Sequence, residues 1–208
     1  MTIIPLPRPG ESRVSDAERT AGDDAELGRK LAAGDPAALT AIARRYWEPL
    51  AAYAYRLVED RDGAMDIAQE ACIRLWDRRG HDSPRCLRAY LFRTTRNLAL
   101  DHLKTKRTRR RLLRRHAPER TNGPARPDEV LDQDRTAAEV HRAIRDLPER
   151  RREVFTLAYL GGLTYAEIGE VMGISPKTVQ NQMTAALAQL RAALRPLLDE
   201  RAGGGGAR

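Results

Sequence analysis

One stretch, residues 159–191, constrains the fold most strongly, because it carries the signals of two helices joined by a tight turn. Thr164 and Glu167 have the spacing of a capping box, which predicts where the first helix begins. Gly173 predicts where it ends, since glycine readily adopts the left-handed conformation that follows many helices. Ser175, followed by a proline, predicts the start of the second helix. The pattern is typical of a helix-turn-helix, whose second helix enters the DNA major groove.

The predicted second helix has an apolar face and a polar face. The apolar residues recur at helical spacing and are expected to be buried: Val179, Met183, Leu187, Leu190 and Leu194. On the polar face, amide and cationic side chains suit base edges and phosphates. With the caps, the residues predicted to bind duplex DNA are Thr164, Ser175, Lys177, Thr178, Gln180, Asn181 and Thr184. A helical hairpin with a solvated polar face is the alternative, and the element alone fits many kinds of regulator.

Length and composition bound the remaining possibilities. The 208 residues can hold one or two small domains. No segment is apolar enough to span a membrane or resembles a secretory signal, so we expect a cytoplasmic protein without membrane insertion. Cys72 and Cys86 form neither a CxxC pair nor a cluster with histidines, and we expect no metal site and no cofactor. A redox switch between the two cysteines is the alternative to two ordinary small side chains.

The net charge of +8 is concentrated in one short segment. Residues 104–115 contain eight basic residues and no acidic one, which leaves 29 basic against 29 acidic residues elsewhere. Basic runs are often only solvated. This run follows a predicted helix that itself carries Arg93 and Arg96, which favours a polyanionic partner such as nucleic acid.

The chain divides into two helical regions, and no strand pattern interrupts them. We predict an all-α fold of two small helical domains joined by a flexible linker. Residues 116–127 collect Pro, Gly, Asn and Thr, which is typical of a linker. The predicted division is a disordered extension at 1–22, a first domain at 23–107, a linker at 108–129, a second domain at 130–200 and a flexible tail at 201–208. Helices are predicted in the first domain at 25–33, 36–49, 50–58, 64–78 and 85–106.

The predicted helix at 64–78 carries two different faces. One is a buried stripe: Ala64, Ile67, Ala68, Ala71, Cys72 and Leu75. The other is a candidate protein-binding patch: Asp66, Gln69, Glu70, Ile73 and Trp76. An apolar side chain beside carboxylates on an exposed face favours a protein partner over a merely solvated side. Acid–base catalysis by the paired carboxylates is a weaker alternative, because no histidine, nucleophile or metal ligand accompanies them, and we expect no catalytic residues.

The predicted helix at 85–106 also has two faces. Leu87, Leu91, Thr94 and Leu98 are expected to pack inward. The candidate nucleic-acid face combines cations with an amide and nearby rings: Tyr90, Phe92, Arg93, Arg96, Asn97, Leu100 and Lys104. Basic residues interleaved with aromatic rings favour single-stranded or melted nucleic acid. The alternative for each ring is that it belongs to the core.

Three stretches taken in order resemble the extracytoplasmic-function sigma factors, the smallest members of the bacterial sigma-70 family. Residues 32–76 are similar to the opening AGD–helix–DAEDxxQExFxxxW pattern of that family. The stretch LRAYLFRTTRNLALDHLKTKRTRR resembles its promoter-melting helix, which ends in N-xxx-D and a basic run. The stretch LPERRREVFTLAYLGGLTYAEIGEVMGIS resembles the segment that opens its second DNA-binding domain. The occurrence of all three stretches in this order, with a linker before the third, is highly specific for that family.

This resemblance implies a promoter-specificity subunit rather than an enzyme. It implies that the patch on the helix at 64–78 contacts the clamp helices of core RNA polymerase. Residues 77–86, with Asn97 behind them, would form a pocket for a base flipped out of the −10 element. Residues 176–190 would read the −35 element as duplex, and the linker would lead towards the active-site channel. An anti-sigma factor that grips the surface between the two domains is a further expected partner.

Three features depart from the family pattern. The linker begins strongly basic, whereas the family linker is often acidic, which places its path through the polymerase in doubt or extends the DNA contact. Asp66-Ile67-Ala68 stands where the family often has Asp-Leu-Val. Gly169 replaces the usual alanine in the first helix of the helix-turn-helix, which is expected to cost up to about 1 kcal/mol of helix stability.

Two other functions remain open to the sequence. A stand-alone helix-turn-helix regulator would bind a duplex site by itself, commonly as a dimer, and SPKTVQNQM also resembles the recognition helix of response regulators. The first region lacks the strand–helix alternation of a receiver domain, which argues against it. An enzyme acting on nucleic acid would need a carboxylate or metal constellation, and the sequence shows none.

Overall fold

The described part of the chain is helical throughout. The computed structural model describes residues 13–80, 84, 86–114 and 135–203. Its helices are α1 (Arg13–Ala32), α2 (Pro36–Val58), α3 (Arg61–Asp77), α4 (Leu87–Arg114), α5 (Arg135–Arg145), α6 (Glu149–Tyr159), α7 (Tyr165–Met172) and α8 (Pro176–Gly203). Within these ranges, no helix is both long and apolar enough to cross a membrane. The all-α prediction is confirmed, with α1–α4 as the first domain and α5–α8 as the second.

Helix α1 begins at Arg13, within the segment for which composition predicted disorder. Residues 1–12 lie outside the described residues. Further along α1, contacts with α2 fix the helix: the Arg45 guanidinium binds Asp23 at 3.0 Å and Asp24 at 2.9 Å. The Tyr46 hydroxyl also donates to the buried Asp24 carboxylate. These contacts come from tertiary packing, so local composition could not predict them.

Helix α2 is continuous where the sequence predicted two helices with a break at Pro49. It begins as expected, because the Asp35 side chain accepts a bond of 2.8 Å from the Ala37 N–H. Pro49 costs the helix one backbone hydrogen bond. Leu50 and Tyr53, just beyond it, are fully buried, and this packing holds the helical path across the proline.

Helix α3 presents its predicted buried stripe to the core, with Ala64, Ile67, Ala68, Ala71, Cys72 and Leu75 all buried.

Helix α4 differs more from its prediction. It runs to Arg114 instead of ending near 106, so the first part of the predicted linker is helical, and the rest of the linker up to residue 134 lies outside the described residues. Its buried positions are Leu87, Ala89, Leu91, Phe92, Thr95 and Ala99, together with the charged Arg88, whereas Thr94 and Leu98 are only half-buried. The buried surface is wider than predicted because the second domain packs on α4 as well.

The helix-turn-helix forms as its local signals predict. Thr164 and Glu167 make both bonds of the capping box at the start of α7. Gly173 ends that helix in the left-handed conformation, with φ of 68°. The Ser175 hydroxyl accepts from the Thr178 N–H at 3.1 Å and caps α8. Of the predicted apolar face of α8, Val179, Met183, Leu190 and Leu194 are buried and Leu187 is half-buried.

Gly169 has a steric role that the sequence did not reveal. A Cβ atom added at this position would lie 2.7 Å from the carbonyl oxygen of Ile174, closer than such contacts ordinarily allow. The glycine therefore lets the turn approach α7 closely. The propensity cost expected from the sequence is offset by this fit, so alanine is not the better residue here.

The two domains pack against each other through α4. One continuous apolar core joins Leu91 and Phe92 of the first domain to Leu157 and Leu163 of the second. Gly161, in the turn after α6, sits directly over α4, where an added Cβ would lie 3.0 Å from Cζ of the Phe92 ring. A helix predicted to face nucleic acid is thus partly covered by protein.

Candidate nucleic-acid interface

The polar face of α8 is open to solvent. Lys177, Gln180, Asn181 and Thr184 are all exposed, while Val179 between them is buried. Their bonds are local: Lys177 Nζ donates to Gln180 Oε1 at 3.4 Å, and the Thr184 hydroxyl donates to the Gln180 carbonyl at 2.9 Å. Breaking such weak exposed bonds costs little, so these side chains are available to base edges and phosphates.

The remaining predicted residues of this face belong to helix caps. The Thr164 hydroxyl accepts from the Glu167 N–H at 3.3 Å. Ser175 and Thr178 lie at the start of α8, with their hydroxyls 2.9 Å apart. A helix N-terminus presents unpaired N–H groups and a partial positive charge, which favours a phosphate at this position. The caps thus suit backbone contacts better than base reading.

On α4, part of the predicted nucleic-acid face is also open. Arg93, Asn97 and Lys104 are exposed, and Leu100 is half-buried. The Lys104 ammonium pairs with Asp101 one turn away at 3.0 Å, but both side chains are more than two-thirds exposed. Such a surface pair is weak and easily exchanged for a phosphate. Arg93, Asn97 and Lys104 are therefore accessible to DNA in this structure.

The two aromatic rings near the start of α4 differ in how deeply they are buried. Tyr90 is half-buried, with the Arg78 guanidinium 5.7 Å from its ring centroid. Phe92 is completely buried, with its ring centroid 5.5 Å from that of Tyr53. The placement of Phe92 on the nucleic-acid face is therefore corrected, because α2 and the second domain enclose the ring. Phe92 is a core residue, which is the alternative that the sequence left open for each ring.

Arg96 is engaged by the second domain. Its Nε donates to Glu153 Oε1 on α6 at 2.8 Å, and the Tyr53 hydroxyl donates to the same oxygen at 2.8 Å. The Arg96 side chain is 23% exposed and that of Glu153 only 9%. Burial, followed by the nearby Glu153 carboxylate, raises the pKa of Tyr53 well above its ordinary value. Arg96 therefore faces a carboxylate in the position where we predicted DNA.

A second ion pair joins the domains through a residue that the sequence analysis did not single out. Arg88 Nη2 lies 2.9 Å from both carboxylate oxygens of Glu167. The Cys86 thiol donates to Glu167 Oε1 at 2.9 Å. Burial opposes the charge on Glu167, but the bonds from Cys86, the Thr164 N–H and Arg88 outweigh it and lower its pKa. No local signal predicts the pairing, since Glu167 already had a capping role and Arg88 lies 79 residues away.

Neither cysteine is chemically activated. Both are free thiols in the structure. Burial, and then the bond to Glu167, raises the pKa of Cys86 to about 11, and burial raises the pKa of Cys72. The thiolate is the reactive form, so both thiols are unreactive near neutral pH. Within the described ranges, no cluster of three or more His, Cys, Asp or Glu side chains could hold a metal ion.

The candidate protein-binding patch lies on the outer side of α3. Asp66, Gln69 and Ile73 are exposed, and Ile73 is among the most exposed large apolar residues, at 44%. Glu70 pairs with Arg74 at 2.8 Å, and the Arg79 guanidinium covers the Trp76 ring at 4.1 Å. An exposed isoleucine between polar side chains, beside a partly accessible tryptophan, suits a protein partner.

Two family models match the chain, and they divide it as the structure does. "Sigma-70 region 2" matches residues 42–111, and "Sigma-70, region 4" matches residues 137–190. The ECF RNA polymerase sigma factor SigL of Mycobacterium tuberculosis is 31% identical over 173 residues, which cover 79% of this chain and 95% of SigL. The chain belongs to the extracytoplasmic-function sigma factors of the sigma-70 family. The resemblance seen in the sequence is thereby confirmed.

Other relatives agree. The RNA polymerase sigma-H factor of Pseudomonas aeruginosa is 28% identical over 200 residues, covering 87% of this chain and 98% of that protein. The chain spans 64% of the length of the ECF sigma factor SigE of Mycolicibacterium smegmatis, with 30% identity. This sigma factor is a non-enzymatic subunit that acts with RNA polymerase in transcription initiation, which excludes the stand-alone regulator and the nucleic-acid enzyme.

Solved structures share the fold. The structure of CnrH in complex with the cytosolic domain of CnrY matches with a TM-score of 0.58 and 25% identity, covering 83% of this chain and 97% of that one. The sigma factor RpoE in complex with the anti-sigma factor NepR from Bartonella quintana matches with a TM-score of 0.51 and 20% identity, covering 74% and 96%.

Proposed function

We propose that this sigma factor binds core RNA polymerase through α3 and reads promoter DNA through α8 and α4. The observation that carries the proposal is the exposure of three separate polar faces on these helices, each backed by a buried apolar stripe. Three separate faces allow the polymerase and two promoter elements to be bound at the same time.

The −35 element is bound as duplex by α8. Gln180 and Asn181 are the residues suited to base edges, because their amides can pair bidentately with adenine. Lys177 and the hydroxyls at the helix start hold phosphates, which fix orientation without reading sequence. The exposure of Ser175, Lys177, Gln180 and Asn181 supports this division.

The −10 element is bound and melted by α4. Arg93 and Lys104 suit the backbone of the melted strand, Asn97 suits a base edge, and Tyr90 offers a ring for stacking. Leu100 contributes apolar contact along the same helix. The expected base pocket at 77–86 is described only in part, since residues 81–83 and 85 lie outside the described residues.

Core RNA polymerase is bound by Asp66, Gln69, Glu70, Ile73 and Trp76. Asp66, Gln69 and Ile73 are exposed, so substitutions there remove contacts without opening the core. Replacing Asp66 and Glu70 together by lysine reverses two charges and is expected to weaken core binding while thermal stability stays unchanged. Unchanged affinity for core would remove this patch from the interface.

The domain boundaries and remaining partners follow the same proposal. Residues 23–107 and 130–200 serve as the polymerase-binding and −35-reading units, in the cytoplasm where transcription takes place. The solved relatives are complexes, one of them with an anti-sigma factor, which supports an anti-sigma partner that grips the surface between the two domains here.

Transcription in vitro tests the proposal. Purified core polymerase is supplied with a promoter library, with and without this protein. Specific transcripts that depend on the protein, from promoters sharing two elements, are the expected result. Absence of such transcripts, with duplex binding by the free protein, would contradict it.

A further inference from the structure

A groove lies between the second half of α2 and the start of α3. It has a volume of about 270 Å³, and its lining includes Trp47, Tyr55 and Met65 beside the charged Glu48 and Arg61. Tyr55 is 47% exposed and Met65 44% exposed, although both carry large apolar side chains. Ligand clefts begin at about 300 Å³, so this groove suits one or two apolar side chains of an extended peptide rather than a folded domain.

The segment that precedes α1 has the composition that an aromatic groove binds. Residues 3–9 have the sequence IIPLPRP, in which proline alternates with other residues. Proline fixes its own φ and pushes the residue before it into an extended conformation. Both effects favour polyproline II, which has three residues per turn, so Ile3, Leu6 and Pro9 share one side and Arg8 lies on another. Segments of this kind dock in grooves lined by aromatic rings and lose little conformational entropy on docking.

The course of α1 brings this segment close to the groove. Asp24 pairs with Arg45 while a short turn joins the end of α1 to the start of α2, so the two helices run antiparallel. Eleven residues separate Asp24 from Arg13, where α1 begins. The same count along α2 from Arg45 ends at Arg56, next to Tyr55 of the groove. A helix is about 10–12 Å across and the preceding residues extend up to about 40 Å, so the segment can pass round α2 into the groove.

We propose that residues 3–9 bind in this groove as an intramolecular ligand. Leu6 packs on the apolar lining, and Arg8 pairs with Glu48. Glu48 is exposed, and it forms no ion pair with any residue that the structure describes. A surface pair of this kind contributes little energy, so it sets the direction of the segment while the apolar contacts supply the binding. The contact lies within the first domain and does not depend on the position of the second.

A bound segment borders the patch proposed for core polymerase, because Met65 lies one turn before Gln69 on α3. It takes up space beside that patch, so the polymerase has to displace it or bind around it. We expect the bound segment to lower the affinity for core polymerase. This second part rests on the proposed function of α3, whereas the docking itself does not.

Disulfide cross-linking of the full chain tests the docking. The chain carries Cys72→Ala and Cys86→Ser, so that Leu6→Cys and Met65→Cys supply its only thiols. The matched control is Leu6→Cys with Asp62→Cys, since Asp62 is exposed on the same helix but does not line the groove. Under mild oxidation, the intramolecular disulfide of the groove pair is expected to form at least about tenfold faster than that of the control, because docking raises the local concentration of the two thiols.

A further variant and a dilution series sharpen this test. Adding Tyr55→Ser to the groove pair removes an exposed ring from the lining and is expected to slow the cross-link to the control rate. Circular dichroism confirms that each variant is folded. Equal rates for the groove pair and the control pair would overturn the docking. A rate that rises with protein concentration and yields dimers would assign the groove to a second copy, and would overturn it as well.

Affinity for core polymerase tests the second part in the chain with its natural cysteines. Leu6→Asp places a charge against the apolar lining and is expected to raise the affinity several-fold, whereas Thr2→Asp, with the same charge outside the docked residues, leaves it unchanged. Rapid cross-linking with no gain in Leu6→Asp would overturn the competition and leave the docking in place. If Asp66→Lys/Glu70→Lys also has no effect on affinity, the proposed role of α3 fails instead.

Discussion

Helices α8 and α4 both carry candidate DNA-binding faces, but they present them differently. On α8 the polar face is open, and Lys177 and Thr184 both bond to Gln180 on the same helix. On α4 one stripe is open and the adjacent stripe is covered by Glu153 and Glu167 of the second domain. The same pattern of polar residues on a helix can therefore be exposed to solvent or covered by protein. Which of the two occurs depends on residues that lie far away in the sequence.

The largest expected effect concerns the covered side of α4. Phe92→Ala empties a fully buried site between α2 and the second domain, so we expect a loss of about 3–5 kcal/mol in the free energy of unfolding. The exposed Asn97, on the same helix, serves as the control, and Asn97→Ala should change stability by less than about 0.5 kcal/mol. Chemical denaturation measures both. Equal stability of the two variants would show that Phe92 is not a core residue.

A smaller effect is expected where the helix-turn-helix turns. Gly169→Ala adds a Cβ 2.7 Å from the Ile174 carbonyl oxygen, so the turn must shift. We expect a net destabilisation of about 1–3 kcal/mol from this overpacking, against the gain of up to about 1 kcal/mol that alanine brings to an exposed helix. Thermal unfolding decides the sign. A stabilised variant would mean that the close approach is not needed.

The open face of α8 is expected to divide into two roles. Gln180→Ala and Asn181→Ala should each change preference at particular base pairs by about 1–3 kcal/mol, because amides read base edges. Lys177→Ala should instead weaken binding to all promoters similarly. Selection from a promoter library by the holoenzyme distinguishes the two patterns. Indistinguishable profiles for the three variants would refute the division.

The smallest expected effect is on pH dependence, and it acts only on the closed state, in which the second domain packs on α4. The pKa of Glu167 is lowered below its ordinary value of 4.5, because the bonds from Cys86, the Thr164 N–H and Arg88 outweigh its burial. Its charge therefore stabilises the folded, closed form above pH 4.5, and this contribution is lost as the pH falls through the lowered pKa. A titration of the radius of gyration from pH 7 to about pH 3 is expected to show expansion only below pH 4.5, where the Glu167 carboxylate becomes protonated. The Glu167→Gln variant is expected to lack this part of the acid-induced expansion in the same titration. An identical titration curve for the variant and the wild type would contradict the role of Glu167.

These contrasts also explain how much of the molecule could be predicted from its sequence. The caps at Thr164 and Ser175 and the end at Gly173 are local, because each acts within four residues of its own helix. They were predicted correctly, together with the buried stripes of α3 and α8. The sigma-factor family followed from three such stretches in order.

Features that depend on distant contacts were not predicted. Helix α1 is anchored to Arg45 by Asp23 and Asp24, and α2 passes through Pro49 because of packing further along. The burial of Phe92 and the pairing of Arg88 both require the second domain. A helical wheel assumes that α4 packs against a single neighbour. The buried face predicted for α4 was therefore narrower than the observed one, which also contacts the second domain.

The most direct test of the account is the distance between the domains before and after assembly with polymerase. Fluorescent labels are placed on exposed sites of α2 and α8 through Thr40→Cys and Arg191→Cys, in a chain carrying Cys72→Ala and Cys86→Ser. We expect a single population with high energy-transfer efficiency in the free chain, and a fall in efficiency when core polymerase and promoter DNA are added. The same high efficiency in the promoter-bound holoenzyme, or a broad low-efficiency population in the free chain, would contradict the claim that α4 is covered until the domains separate.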